Sequence, residues 1–234
     1  MIPNILYKYL DIDAAVTMIS NHNIQFTRST QLNDPFDCHE ELLDFTNPPE
    51  NLCTQYTPIL TTKIFRETIG KARENIYICS LSKVFDSILM WSYYNSHRGV
   101  CIGLNINDIY YYLEKLDTAP SPPFEVKYRE TINKLNYFSP KEKAIKYFVE
   151  TKSADWKHEE EVRMFLTQLP HSKSNYYRAT ILPRHFHAVY LGVNISPENK
   201  IKVIETISQL NTSINIYQME PDIYSFKLKY NQIL

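Results

Sequence analysis

Glycine is scarce in this sequence, which contains only 4 glycines among 234 residues. A glycine-rich phosphate-binding loop needs several glycines at fixed spacing, and neither a GxGxxG pattern nor a Walker sequence occurs. The Rossmann dinucleotide fingerprint and the P-loop are therefore excluded.

Paired cysteines, an excess of charge and long apolar runs are also missing. The four cysteines form no CxxC pair, so we expect neither structural zinc nor a disulfide scaffold, and reduced thiols in the cytoplasm are the simplest interpretation. The 25 basic and 26 acidic residues nearly cancel, which removes the electrostatic reason to expect a protein that coats duplex nucleic acid; a local basic groove stays open. No apolar run approaches membrane-spanning length and no signal peptide opens the chain, so no membrane partner is expected.

What is present indicates a globular protein, because 44% of the residues are hydrophobic and 22% are charged. Alternating short strand and helix patterns predict a single α+β domain over residues 1–234. We expect a mixed, mostly antiparallel central sheet with helices packed outside. The recognisable motifs lie within residues 5–193, and a helix and strands within residues 197–230 are expected to complete the sheet.

Two predicted helices have recognisable ends. Asp86 is the expected N-cap of a short aromatic helix, and Gly99 suits a left-handed position at its C-terminal end. Ser139, with Glu142 three residues later, has the spacing of a capping box for a helix over residues 140–152.

A strand followed by a sharp turn gives the first candidate site. Arg28 ends the strand, and Asn33, Asp34 and Pro35 form a turn, since Asn and Asp side chains bond nearby backbone and proline disfavours helical angles before it. Together with Asp37 these side chains lie at or just beyond a strand end, which is a common place for a functional site. An ordinary strand exit with a surface turn accounts for them equally well.

The strongest candidate is an acidic triplet that leads into a strand. Glu159, Glu160 and Glu161 precede Arg163, and Trp156 precedes them all. In an extended chain Glu159, Glu161 and Arg163 share one face. One glutamate can then pair with the arginine while the other faces a cleft, so Glu161 and Glu159 are the predicted catalytic residues and Arg163 is a predicted substrate-binding residue. The competing interpretation is a solvated acidic segment.

An aromatic helix gives a second group of candidates. It contains Trp91 and Tyr94, which are expected to stack on a flat ring such as a base or nicotinamide. Aromatic residues at helical spacing are more often core residues, and that alternative stays open.

The first strand gives the third group. Tyr7, Lys8 and Tyr9 lie on it, and Lys8 with Arg28 on the next strand would suit a phosphate or carboxylate of a substrate. Alternatively, these two cations balance the acidic triplet.

Several motifs, in chain order, resemble the bacterial family catalogued as "domain of unknown function 2971", and the resemblance covers most of residues 5–193. The motifs are Leu6-Tyr7-Lys8-Tyr9, Leu32-Asn33-Asp34-Pro35-Phe36-Asp37, Cys79-Ser80-Leu81-Ser82, Met90-Trp91-Ser92-Tyr93-Tyr94, Gly99-Val100-Cys101-Ile102-Gly103, Val126-Lys127-Tyr128, Lys152-Ser153, Trp156 to Arg163, and Leu191-Gly192. The most specific are Asn-Asp-Pro-Phe and Trp-x-x-Glu-x-Glu-x-Arg, the second of which selects Glu159, Glu161 and Arg163. His158 replaces the aromatic residue usual at its position.

The order of the motifs is also similar to that of the ADP-ribosyltransferase-like fold. That likeness implies an NAD-using ADP-ribosyltransferase or NAD glycohydrolase, such as a bacterial toxin or phage-defence effector. NAD or another nucleotide would be the substrate, and a nucleic acid or protein the acceptor. The glutamate would orient the ribose and stabilise an oxocarbenium-like centre, Arg28 and Lys8 would meet the pyrophosphate, and an aromatic ring would stack on nicotinamide.

Two alternatives of other classes remain. A metal-dependent nuclease or hydrolase would hold a divalent ion with Asp34, Asp37, Glu159 and Glu161. A non-enzymatic binding module would instead bury Arg28, Glu159 and Glu161 together as a satisfied structural network. The preferred interpretation assigns no metal ligand.

Overall fold

The structure is a computed structural model that describes residues 1–49, 58–116, 119–167 and 174–234. Its strands are β1 (Ile5–Leu10), β2 (Asn23–Arg28), β3 (Leu43–Asp44), β4 (Tyr77–Ser82), β5 (Val100–Asn105), β6 (Phe124–Glu125), β7 (Lys127–Arg129), β8 (Leu135–Asn136), β9 (Thr151–Ser153), β10 (Glu161–Leu166), β11 (Tyr176–Thr180), β12 (Phe186–Leu191), β13 (Asn215–Pro221) and β14 (Leu228–Gln232). Its helices are α1 (Ile12–Ser20), α2 (Pro58–Arg73), α3 (Ile88–Tyr93), α4 (Ile106–Leu113), α5 (Lys141–Glu150) and α6 (Pro197–Ser208).

The centre of the molecule is a large sheet. Within the described residues its main path runs β11-β2-β4-β1-β5-β12-β13-β14, with β10 and then β6 attached to β4. All its pairings are antiparallel except β12 with β13, which α6 connects as a crossover between parallel strands. The predicted α+β class with a mostly antiparallel sheet is confirmed.

Alternate residues along the central strands pack on opposite faces of the sheet. Leu6 on β1 and Ile102 on β5 belong to the main core, which α1, α4 and α6 cover. Tyr9 and Cys101, on the same two strands, belong to a second core that contains Trp91 of α3. The sheet is therefore covered by helices on both faces.

A split in the sheet lies along β4. Strand β10 pairs with β4 over its whole length, whereas on the other edge β2 pairs only with Tyr77 and Ile78, and β1 pairs only through Tyr7 with Ser82. Strands β1 and β2 thus diverge and leave a gap beside the middle of β4. Lys8 Nζ bridges this gap by donating a hydrogen bond of 2.8 Å to the carbonyl oxygen of Ser80.

The predicted ends of α3 are wrong. Ser87, not Asp86, caps the helix with its side chain. After the helix, residues 95–97 take the left-handed conformation, and Gly99 does not. Gly99 serves a close approach instead, because a Cβ there would lie 2.3 Å from the carbonyl oxygen of Leu10.

The predicted capping box at Ser139 and Glu142 is also wrong. Pro140, whose ψ of 131° keeps the chain extended, is the N-cap of α5 and no side chain caps the helix. The helix ends at Glu150, so Lys152 lies on β9 rather than on the helix.

Candidate functional site

A buried arginine organises the candidate site. Arg163 on β10 is only 1% exposed, yet all five of its N–H groups find acceptors. Its Nη1 and Nη2 donate to the two carboxylate oxygens of Asp37 at 2.7 and 2.5 Å, and Nη1 also donates to the carbonyl oxygen of Val149 at 2.9 Å. Its Nε and Nη2 donate to Glu161 at 2.6 and 3.0 Å. The donor capacity of Arg163 is therefore filled by the protein itself.

A buried lysine extends this network to the second glutamate. Lys152 on β9 donates hydrogen bonds to Glu161 Oε2 at 2.9 Å and to Glu159 Oε2, and its ammonium lies 4.9 Å from the centre of the Trp156 ring. The other oxygen of Glu159 accepts a longer hydrogen bond of 3.4 Å from the hydroxyl of Tyr94. Glu159 is thus the end of a chain of paired charges.

The sequence predicted an extended backbone for the two glutamates. The structure shows extended chain for only one of them. Glu159 ends a 3-10 turn, Ala154–Glu159, and Glu160 has a left-handed conformation with φ of 43°. Strand β10 begins only at Glu161. The turn still brings Glu159 beside Glu161, because both contact Lys152, and it leaves Glu160 exposed.

The two buried carboxyl groups have opposite pKa shifts. Burial alone would raise the pKa of Glu161, but Arg163 and Lys152 outweigh it and lower that pKa well below the usual range. Burial also raises the pKa of Glu159; Lys152 opposes this effect, the neighbouring Glu161 charge adds to it, and the result is a raised pKa. Glu161 is therefore held as a carboxylate, and Glu159 is the carboxyl group that changes protonation more readily.

A small pocket of about 50 Å³ opens at the split between β1 and β4, beside Glu159. It is lined by Tyr7, Lys8, Tyr9, Ser80, Leu81, Ser82, Met90, Tyr94, Glu159 and Glu161. Pockets that enclose a drug-sized ligand usually measure about 300–1,000 Å³, so this one admits only a small chemical group or one end of a larger ligand.

The pocket brings together six of the predicted site residues. They are Tyr7, Lys8 and Tyr9 of β1, Tyr94 at the end of α3, and the glutamates Glu159 and Glu161. The side chain of Lys8 stays beside it through the hydrogen bond to Ser80, and the hydroxyl of Tyr9 donates to the carbonyl oxygen of Val84 at 3.1 Å. Trp91, which was predicted to stack on a ligand, is 0% exposed and its indole N–H donates to the carbonyl oxygen of Phe85 at 2.7 Å. The structure places Trp91 in the core, where it supports Tyr9 edge-on.

Arg28 lies away from this pocket. In the register of the sheet, Arg28 lies opposite Tyr77 of β4, whereas Glu161 lies opposite Ser82, five residues further along the same strand. Arg28 and Glu161 are therefore separated by roughly 16 Å along β4. Arg28 donates to the hydroxyl of Tyr77 at 3.0 Å and to the carbonyl oxygen of Ser174 at 2.8 Å. The structure therefore does not bring Arg28 to the glutamates.

The turn at residues 33–36 has a positioning role. Asn33 is exposed, and the buried Asp34 accepts a hydrogen bond of 2.9 Å from the backbone N–H of Phe36, which fixes the turn. The chain then delivers Asp37 to Arg163. Asp37, rather than Asn33 or Asp34, thus connects this motif to the buried network.

Two residues that belong to the site were not predicted from the sequence. They are Lys152, which joins the glutamates, and Tyr128, whose hydroxyl accepts a hydrogen bond of 2.8 Å from the backbone N–H of Glu161. Both belong to short motifs, Lys152-Ser153 and Val126-Lys127-Tyr128, that the family resemblance had already marked. That resemblance was the available signal, because a single lysine or tyrosine carries none by itself.

The carboxylates of the proposed nuclease are not arranged around a common ion. Asp37 is paired with Arg163, and the ammonium of Lys152 stands between Glu159 and Glu161, where a shared cation would have to lie. Across the residues that the structure describes, no group of three His, Cys, Asp or Glu side chains is placed to hold a metal ion. The same residues include no helix with the length and hydropathy needed to cross a bilayer.

Comparison with curated proteins and with solved structures found no match. A family model described as "Protein of unknown function (DUF2971)" matches residues 90–164. The matched segment runs from the aromatic helix to Arg163 and its neighbour on β10; the turn at residues 33–36 lies outside it. Over these residues, the match supports the family resemblance predicted from the motifs.

Proposed function

We propose that this protein is an NAD-consuming enzyme, an ADP-ribosyltransferase or NAD glycohydrolase, with Glu159 as its working carboxylate. The observation that carries the proposal is the asymmetry of the glutamate pair. Glu161 is held between two cations, whereas Glu159 has a raised pKa, accepts a long hydrogen bond from Tyr94 with its second oxygen, and lines a pocket. Two titratable groups with divergent pKa values are a recurrent mark of acid–base assignment in enzymes.

The chemistry assigned to the pocket is cleavage of a glycosidic bond to a ribose. The Glu159 carboxylate would orient a ribose hydroxyl and stabilise positive charge that develops at the anomeric carbon. Tyr7 and Tyr94 offer ring surfaces, and Lys8 offers a cation at the same opening. Because the pocket is small, it would receive part of the nicotinamide ribose, which carries the bond to be broken, while the rest of the ligand lies outside.

The buried partners of Glu159 would act as its support. Arg163 and Asp37 fix Glu161, and Glu161 with Lys152 fixes Glu159. A catalytic group held by such a second layer keeps its geometry during the reaction. We accordingly reassign Glu161 and Arg163 from direct catalysis and substrate binding to positioning.

The test is release of nicotinamide from NAD by the wild-type protein, with and without cellular RNA, DNA and protein as acceptors. Glu159→Gln should abolish release. Glu160→Gln is the matched control, because Glu160 belongs to the same triplet but is exposed, and it should retain activity. Absence of release by the wild type under every acceptor condition would refute the proposal, as would full activity of Glu159→Gln.

The saturated donors of Arg163 favour a second candidate, a protein that binds a nucleotide without converting it. Every N–H of Arg163 is used inside the protein, so the network around it can serve the structure alone, without supporting a reaction. Calorimetric binding of NAD without nicotinamide release would select this candidate. Activity that chelators remove would instead select the metal-dependent hydrolase.

We place the protein in the bacterial cytoplasm, as a toxin or phage-defence effector acting on an internal NAD pool. The support is that Cys38, Cys79 and Cys101 are free, buried thiols, as expected of a reducing compartment. Nicotinamide release in cells that express the wild type but not Glu159→Gln would test this setting.

A further inference from the structure

The turn between β13 and β14 carries an unusual concentration of exposed hydrophobic side chains. Ile223, Tyr224 and Phe226 are 80%, 91% and 100% exposed. Soluble proteins rarely leave large apolar side chains clustered in this way, and such patches mark interaction surfaces. We call residues 221–228 the hairpin tip.

The hairpin tip is held in a defined shape. Asp222 accepts hydrogen bonds from the backbone N–H of Tyr224 at 3.0 Å and from the hydroxyl of Ser225 at 2.6 Å, and its own N–H donates to the carbonyl oxygen of Lys227 at 3.0 Å. A surface that is ordered before binding loses less conformational entropy when a partner docks. The exposed side chains are therefore presented by a structured turn.

A groove lies directly beside the hairpin tip. It has a volume of about 420 Å³ and is bounded by residues 221–228 on one side and by Ile88 and His97 on the other. Ile88, which begins α3, is itself 41% exposed. The volume exceeds that of an aromatic side chain and falls within the range of pockets that enclose small ligands.

We propose that the groove receives the hairpin tip of a second copy of this chain, so that two molecules form a two-fold dimer in which each Phe226 enters the groove of the other. A two-fold contact needs a surface that is complementary to itself. This surface provides both parts, a protruding apolar tip and an apolar groove, and it carries one acid and one base, Asp222 and Lys227. Since the two tips meet in opposite directions, each Asp222 can face the partner's Lys227.

The area available fits this contact. Tyr224 and Phe226 are almost fully exposed, and aromatic side chains bury roughly 150–250 Å² each, so the two supply roughly 300–500 Å² per molecule. Ile223 and the Ile88 side of the groove add to this area, so the contact lies at the small end of specific interfaces, below the roughly 800 Å² per partner of a standard one. Lys227 and Lys229 flank the start of β14, and lysines at a sheet edge oppose open-ended strand addition, which favours a closed dimer.

Sedimentation equilibrium of the full chain tests the proposal. The wild type should be a dimer, and Phe226→Ser, on the tip, and Ile88→Asp, on the groove wall, should each raise the dimer dissociation constant by about thirtyfold or more. Tyr111→Ser is the matched control: Tyr111 is 59% exposed but lies on α4, and its loss should leave the dissociation constant unchanged. Circular dichroism establishes that each variant is folded.

Two results would overturn the proposal. A wild type that stays monomeric at every concentration would show that another partner, or none, covers the hairpin tip. A dimer that both Phe226→Ser and Ile88→Asp leave intact would have to form through a different face. Neither result depends on whether the protein consumes NAD.

Discussion

Replacing each of the two buried glutamates by glutamine is expected to change stability in different directions. Glu161 contacts both Arg163 and Lys152, so Glu161→Gln leaves two buried cations with one partner fewer. Breaking a buried ion pair from one side usually costs about 3–5 kcal/mol. In a domain of this size 1 kcal/mol corresponds to roughly 2–4 °C, so the melting temperature should fall by roughly 6–20 °C.

Glu159→Gln should leave stability within about 1 kcal/mol of the wild type, on the stabilising side. Asp37, Glu159 and Glu161 place three negative charges beside the two positive charges of Lys152 and Arg163. Because folding raises the pKa of Glu159, ionising this carboxyl disfavours the folded state. The cost is absent below the ordinary pKa of 4.5, and it grows as the pH rises from there through the folded-state pKa. The advantage of Glu159→Gln should therefore appear at neutral pH and vanish in acid.

Urea unfolding of the wild type and both variants at neutral and acidic pH measures these free energies. Glu160→Gln controls for the loss of one exposed charge and should differ from the wild type by less than about 0.5 kcal/mol. If Glu159→Gln costs as much as Glu161→Gln, then Glu159 is a structural member of the network. That result would refute the assignment of unequal roles to the two glutamates.

Further predictions follow from the same geometry. Arg163→Lys cannot reproduce the two-pronged carboxylate contacts and should lower the free energy of unfolding by about 3 kcal/mol or more; a loss below about 1 kcal/mol in urea titration would contradict this. Gly99→Ala would place a Cβ 2.3 Å from the carbonyl oxygen of Leu10 and should cost about 1–3 kcal/mol, and an unchanged thermal melt would argue against the close approach. Because folding lowers the pKa of Glu161, the stabilisation that this carboxylate provides is complete above the ordinary pKa of 4.5 and is lost as the pH falls towards the folded-state value. The difference in unfolding free energy between wild type and Glu161→Gln should therefore narrow in acid. A difference that stays constant with pH would contradict the lowered pKa. If Glu159 works as a carboxylate, nicotinamide release should decline on the acid side with a midpoint above 4.5, and a midpoint at or below that value would contradict the raised pKa.

The sequence predicted those features that depend on local pattern. The short strand and helix patterns predicted the α+β class, and the spacing of Glu159, Glu161 and Arg163 selected three side chains that the structure joins in one network. The left-handed residue at Glu160 was not predictable from an alternating pattern, because a period of two describes only extended chain. It was the contact with Lys152, not a shared strand face, that brought the glutamates together.

Features that depend on pairing between distant strands escaped prediction. Arg28 and Lys8 each lie on a strand next to β4, and the sequence does not specify that these strands meet β4 at opposite ends. The split that follows from this arrangement creates the pocket and separates Arg28 from it. Arg28, a cation predicted for substrate binding, therefore lies away from the glutamates for a topological reason rather than a chemical one.

The position of each glutamate relative to β10 is the reason that we propose the catalytic role for the one outside the strand. Glu161 has backbone neighbours on both sides and lies opposite Ser82, so its side chain is confined among Arg163 and Lys152. Glu159 precedes the strand, and only one of its oxygens is held by Lys152. A carboxyl group that must meet a ligand needs an oxygen free of strong internal partners, because a second ion pair would fix its charge and its direction. We propose Glu159 for this role, since its other oxygen forms no ion pair among the described residues and has a 3.4 Å hydrogen bond from Tyr94 at the edge of the pocket.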